Sequence, residues 1–195
     1  MFNRIVAIRP TRESSYSLHS SYFVWISPLR LHGLPPAVSS RTQLLVLGSF
    51  PGATSLARRQ YYAHPQNAFW KIFQAIWPSS PEKISADSYE NRINWLLDKG
   101  IGLWDVYASC EREGSLDTAI QLPQVNDLAE LKCRCPQLRL IAHNGGESFR
   151  HARYTRALGL PVYRLPSSSP ANARWTFERK LAAWREVVAL AGLLQ

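Results

Sequence analysis

Hydrophobic positions in this chain alternate between short unbroken runs and longer stretches of helical spacing. Leu44-Leu45-Val46-Leu47 is a continuous apolar run, which suits a strand buried on both faces of a parallel sheet, and it stops at Gly48. After a loop over residues 49–66, Phe69, Trp70, Phe73, Ile76 and Trp77 recur at helical spacing, predicting a helix over 67–77 that Pro78 ends. A second helix is expected over 88–99, with Gly100 as its stop. Further strands are expected at 101–107, 138–142 and 162–165. Residues 108–125 read as a polar connection, Asn126 as the N-cap of a short helix ending near the cysteines, and 145–158 as one helix closed by Gly159. The last helix places Phe177, Leu181, Trp184 and Val188 on one stripe.

Strands alternating with helices imply right-handed crossovers. The expected fold is therefore α/β: a three-layer α/β/α sandwich with a central, mostly parallel four-stranded sheet, occupying residues 43–195. Residues 1–42 carry Arg4, Arg9, Arg12, Arg30 and Arg41 against a single Glu13, and Gly33-Leu34-Pro35-Pro36 reads as linker. They are expected to be a poorly ordered N-terminal extension.

At 195 residues and 46% hydrophobic, the chain can bury one core of ordinary size. Its 23 Lys+Arg against 14 Asp+Glu give a formal charge of +9, a surplus that favours polyanionic partners. No apolar run approaches the ~20 residues that cross a bilayer, so no membrane partner is expected. Cys110, Cys133 and Cys135 make neither a disulfide framework nor a four-ligand metal site. With no secretory h-region, a reducing, cytoplasmic location is expected.

In this fold the loops leaving the carboxyl ends of the strands form the site. These are residues 48–52, Asp105 and its successors, 143–146 and 166–174. Their glycines allow close approach to a ligand, their serines and asparagines supply neutral hydrogen bonds, and neighbouring aromatics supply stacking faces. Such a pocket suits a flat, polar, uncharged ring.

The same residues resemble the uracil-DNA glycosylase superfamily, and within it the branch that removes hypoxanthine from deoxyinosine in DNA. The resemblance rests on G-S-F-P-G at 48–52, Y-Y-A-H-P-Q-N-A-F-W-K at 61–71, G-S-L-D at 114–117, H-N-G at 143–145 and L-P-S-S-S-P-A-N-A at 165–173. The eleven-residue block is the specific one. The resemblance implies a monofunctional enzyme without metal or cofactor, acting on DNA that contains deaminated bases and associated with the nucleoid. Such an enzyme flips the damaged nucleotide, hydrolyses its N-glycosidic bond and leaves an abasic site. A monomer is the default for an enzyme that scans a duplex.

Much of the superfamily holds the attacking water with an acidic or amide residue at the third position of the first motif. Phe50 stands there, and a phenyl ring can neither orient nor deprotonate water. Asn67 matches the asparagine on which the hypoxanthine branch depends and is the catalytic candidate; it is equally a good helix N-cap. Tyr62 matches the aromatic that stacks on the extruded base, with Tyr61 or Phe50 as a second face. Gly48 lets the base approach, and the backbone N–H groups of Ser49 and Phe50 can donate to it. Asp105 stands where relatives read the base and could accept N1–H, or it is a strand-end cap paired with an arginine such as Arg112. Asn144 supplies an amide donor or shapes its turn.

Ser167, Ser168, Ser169, Pro170 and Asn172 match the motif that pinches the DNA backbone. Arg174 beside them, Arg58 with Arg59 in the first loop, and His64 are placed for phosphates. Arg139, Arg150, Arg153 and Arg156 read as solvated charges. The rival readings are uracil or mismatch-specific release on the same fold, and a silent damaged-DNA-binding module, which the loss of a polar residue at Phe50 favours. A serine hydrolase built on Ser49 or Ser168 lacks a G-x-S-x-G elbow, and a Schiff-base enzyme would need a desolvated lysine where only Lys71 is near.

Overall fold

The computed structural model describes residues 30–78 and 88–194. Four parallel strands form the central sheet: β2 (Leu44–Gly48), β3 (Ile101–Asp105), β6 (Leu140–Asn144) and β7 (Val162–Leu165), in the order β3-β2-β6-β7. The continuous apolar run of β2 is explained by its two buried faces. Leu44 and Val46 enter one core with Phe69, Phe73 and Trp184, while Leu45 and Leu47 enter the other with Trp104, Leu131 and Ile141. Helices α2 (Phe69–Ile76), α3 (Tyr89–Asp98) and α7 (Phe177–Leu190) supply residues to the first core. Helix α4 (Leu131–Arg134) supplies Leu131 to the second, and the short α1 (Ala53–Arg58) follows the first motif.

The expected layers and parallel sheet are present, with three departures. Residues 108–125, expected as a connection, contain two strands: β4 (Tyr107–Glu111) and β5 (Gln121–Val125) pair antiparallel, and β1 (Arg30–His32) covers the other edge of β4. The strand expected over 101–107 is therefore two strands meeting at Val106, whose N–H donates to the Gly48 carbonyl. Secondly, the helix expected over 145–158 is broken into α5 (Gly146–Phe149) and α6 (Ala152–Arg156), because His151 leaves helical geometry at ψ 9°. Finally, Asp127 rather than Asn126 caps the short helix, its carboxylate accepting the Ala129 N–H at 3.0 Å. Asn126 instead donates to the Asp105 carbonyl at 2.9 Å.

The expected extension divides in the structure. Residues 1–29 lie outside the described residues, whereas 30–42 are built into the fold through β1 and an antiparallel bridge between Ala37 and Leu103.

Candidate active site

A cavity of about 990 Å³ opens at the carboxyl ends of the parallel strands. The register explains its floor. Gly48 pairs with Asp105 across β2 and β3, and a side chain at 48 would collide with the Asp105 carboxylate while lying 3.5 Å from the Tyr62 hydroxyl. Only glycine lets those two polar groups converge on one spot.

Asp105 is buried, and its Oδ2 has no hydrogen-bond partner among the described residues. Burial raises its pKa from 3.8 to about 7; the neighbouring Asp117 charge adds to this and Arg112 opposes it. The Tyr62 hydroxyl is likewise buried and unpartnered, and burial, then Asp105, pushes its pKa well up. Tyr62 holds a left-handed backbone at φ 53°. Its ring stacks on Phe69 with centroids 3.9 Å apart and planes at 13°. One face of Tyr62 is thus occupied by protein, and the residue also lines the cavity.

Arg112 does not pair with Asp105. It donates to the Pro51 carbonyl, and its guanidinium lies 5.0 Å from the Phe50 ring centroid. Phe50 is buried, part of the second core, and also lines the cavity. The Ser49 hydroxyl donates to Asp117 Oδ1 at 2.7 Å, and the Ala53 N–H donates to the Ser115 hydroxyl at 2.9 Å. The G-S-L-D segment, at the tip of the β4–β5 hairpin, thereby closes over the first motif. Ser115, Leu116 and Asp117 line the cavity beside Arg164. Sequence reasoning quoted the G-S-L-D motif without giving it a site residue. Arg164 carried no local signal.

Asn67 lines the cavity, half-buried, and its Oδ1 accepts the Phe69 N–H at 3.0 Å. The amide is therefore held by the first turn of α2, while its Nδ2 has no partner among the described residues. Asn144 faces the opposite motif: its Nδ2 donates to Ser168 Oγ at 2.9 Å, and its Oδ1 accepts the Ser168 N–H at 2.8 Å. The Ser168 carbonyl accepts the Ala68 N–H at 2.9 Å, next to Asn67.

Ser168 is completely buried, so its hydroxyl faces protein and not phosphate, contrary to expectation. The other members of that loop remain accessible. The hydroxyls of Ser167 and Ser169 accept the N–H groups of Ser169 and Ala171, each at 3.2 Å, and Asn172 ties the turn by donating to the Ser167 carbonyl at 3.1 Å. Pro170 is exposed at the rim. His64 is exposed in the cavity wall, and its Nδ1 accepts the Gln66 N–H at 3.2 Å. Arg58 and Arg174 are exposed but lie outside the cavity lining.

His143 is structural. It is fully buried between Ser148 at 2.8 Å and Thr155 at 2.9 Å, and Ser148 donates onward to the Leu47 carbonyl. Burial lowers its pKa to about 4, so the ring is neutral. No group of three metal-ligating side chains occurs among the described residues, and no helix there is long and apolar enough to cross a membrane.

The family model described as the uracil DNA glycosylase superfamily matches residues 35–188. The chain belongs to the uracil DNA glycosylase superfamily. Among curated superfamily relatives it is 38% identical over 158 residues to the hypoxanthine DNA glycosylase of Methanosarcina barkeri, covering 81% of this chain and 98% of the relative. With the hypoxanthine DNA glycosylase of Methanosarcina acetivorans it shares 36% identity over 155 residues, 80% of this chain and 96% of that one. A solution NMR structure of a provisionally named uracil DNA glycosylase from M. acetivorans superposes with a TM-score of 0.73 at 34% identity, over 84% of this chain and 99% of that chain. This superfamily member carries β1 in residues that precede the matched segment.

Proposed function

We propose that the protein is a DNA glycosylase that releases hypoxanthine from deoxyinosine by base flipping, leaving an abasic site. The observation that carries this reading is the pair of buried, unpartnered polar groups at the cavity floor, the Asp105 carboxyl and the Tyr62 hydroxyl, below a wall that holds Asn67. Deamination of adenine replaces an acceptor at N1 and a donor at C6 with N1–H and O6. An acceptor beside a donor is the complement of that new edge. The named activity of both curated relatives supports the same substrate.

In the proposed mechanism the Ser49 and Phe50 N–H groups, which have no acceptor among the described residues, face the expelled base. The C1′–N9 bond breaks with its electron pair going to the purine, and donors from the loop offset that charge. Asn67, anchored by Phe69, accepts a hydrogen bond from the water whose oxygen then bonds C1′. The proton lost by that water balances the departed base. An amide suffices because bond breaking runs ahead of attack. Half-buried Ser167, Ser169 and Asn172 hold the DNA backbone at the cavity rim, with Arg58, Arg174 and His64 meeting phosphates.

Duplexes bearing deoxyinosine, deoxyuridine or normal bases, followed by alkaline cleavage of the labelled strand, test the proposal. Strand cleavage at deoxyinosine is expected. Efficient uracil release without hypoxanthine release reassigns the substrate, and binding without any product makes the protein a damage sensor.

A further inference from the structure

Four arginines gather on residues 150–156 and β7, and they are engaged differently. Arg150 pairs with Glu147 at 3.2 Å, and Arg153 donates to the Tyr154 hydroxyl at 2.6 Å with its guanidinium 4.6 Å from that ring. Arg156 and Arg164 make no ion pair among the described residues. Both sit beside one ring, 5.4 Å and 6.0 Å from the Phe149 centroid. Arg164 also lines the cavity, and its Nη2 would lie 3.0 Å from a side chain at Gly146, so the guanidinium rests against the backbone just beyond the H-N-G turn.

Both guanidinium groups are exposed and neither has a carboxylate partner among the described residues, so their N–H donors are open to an anion. We propose that Arg156 and Arg164 form a phosphate-binding site for the DNA strand alongside the flipped nucleotide, at the Gly146 rim of the cavity. The inference rests on the reading of the protein as a DNA-acting enzyme and adds a contact that the serine loop does not supply. Arginine suits this task because its planar fork meets phosphate oxygens with two parallel N–H donors. Such contacts set position without reading sequence.

The test compares Arg156→Gln, Arg164→Gln, the double variant and the two Lys variants with the wild type, in binding to undamaged and deoxyinosine duplexes across a salt series. Each Gln substitution is expected to make the slope of log Kd against log salt shallower by about 0.9. Low-salt affinity should fall several-fold. Lys variants should keep most of the slope. Arg41→Gln, which removes a partner of Asp98 at the far end of the sheet, should leave it intact. Salt slopes that superimpose on the wild type overturn the phosphate site, even where base release persists. A wild-type protein that binds duplex but releases no base overturns the glycosylase reading and leaves this site standing. Melting temperatures confirm that each variant is folded, and the single and Lys variants carry the test if the double variant is not.

Discussion

Asn144 and Ser168 are bonded to each other twice, side-chain amide to hydroxyl at 2.9 Å and backbone N–H to side-chain oxygen at 2.8 Å. Through the Ser168 carbonyl this clamp continues to Ala68, so the H-N-G turn, the serine loop and the segment bearing Asn67 form one connected unit. Asn144→Ala leaves the buried Ser168 N–H without a partner and should cost about 2–3 kcal/mol in urea unfolding. Ser168→Ala keeps the N–H bond and should cost only about 1 kcal/mol. Equal losses would contradict the clamp.

The role proposed for Asn67 in catalysis is separable from its bond to Phe69. Asn67→Ala should lower the single-turnover rate of base release by at least about 100-fold, in the range seen when a positioned polar group is removed from an active site. It should also cost about 1 kcal/mol of stability through the lost hydrogen bond from the Phe69 N–H, since Ala68 and not Asn67 is the helix N-cap, with DNA affinity little changed. Asn67→Asp keeps the oxygen that accepts the Phe69 N–H and should restore the stability. An unchanged rate in the Ala variant would remove Asn67 from the mechanism.

In the proposed reaction Asp105 imposes a pH dependence. With its pKa raised to about 7 by burial, it is a carboxylate, able to accept N1–H, only above neutrality. The value of kcat/KM on deoxyinosine should therefore rise through about pH 7 in the wild type and lack that step in Asp105→Asn. A wild-type profile flat through that range would show that Asp105 does not read the base as an anion.

The same group opposes His143 in stability. Between about pH 4 and 7 folded Asp105 keeps a proton that the unfolded chain has released, so its contribution falls as pH rises. Folded His143, with its pKa lowered to about 4, lacks a proton that the unfolded chain binds below about 6.5, so its contribution rises with pH. The shifts are of comparable size, on the order of 4 kcal/mol for Asp105 and 3 kcal/mol for His143, with opposite signs. Wild-type unfolding free energy should thus vary little from about pH 4.5 to 6.5. Asp105→Asn should be more stable than wild type at about pH 8, with the difference closing toward about pH 4. A gap that does not change with pH would refute this account.

The parallel sheet was legible because burial on both faces writes itself as unbroken apolar runs, as in Leu44 to Leu47. The small antiparallel sheet was not. Strand β5 is mostly exposed and carries Pro123, and β1 has only three residues, so neither shows alternation or an apolar run. Most of the cavity lining followed from strand ends and motif order. Ser168 was misplaced because a serine-rich loop gives no sign of which hydroxyl turns inward. Arg112 and Asp117 needed the hairpin to fold back before their neighbours, Phe50 and Ser49, could be known.

Arg30 on β1 donates to Ser109 at 3.0 Å and to the Leu122 carbonyl at 3.2 Å, joining all three strands toward the loop end of the hairpin whose tip bears Asp117. A protein trimmed to the family-matched segment would keep every motif and lose this brace. Strand β4 would then show solvent a ladder of free donors and acceptors, the kind of edge on which a second molecule can add a strand. Self-association would begin at the back of the very wall that closes over the first motif, tying the fate of a few residues outside the family-matched segment to the shape of the pocket.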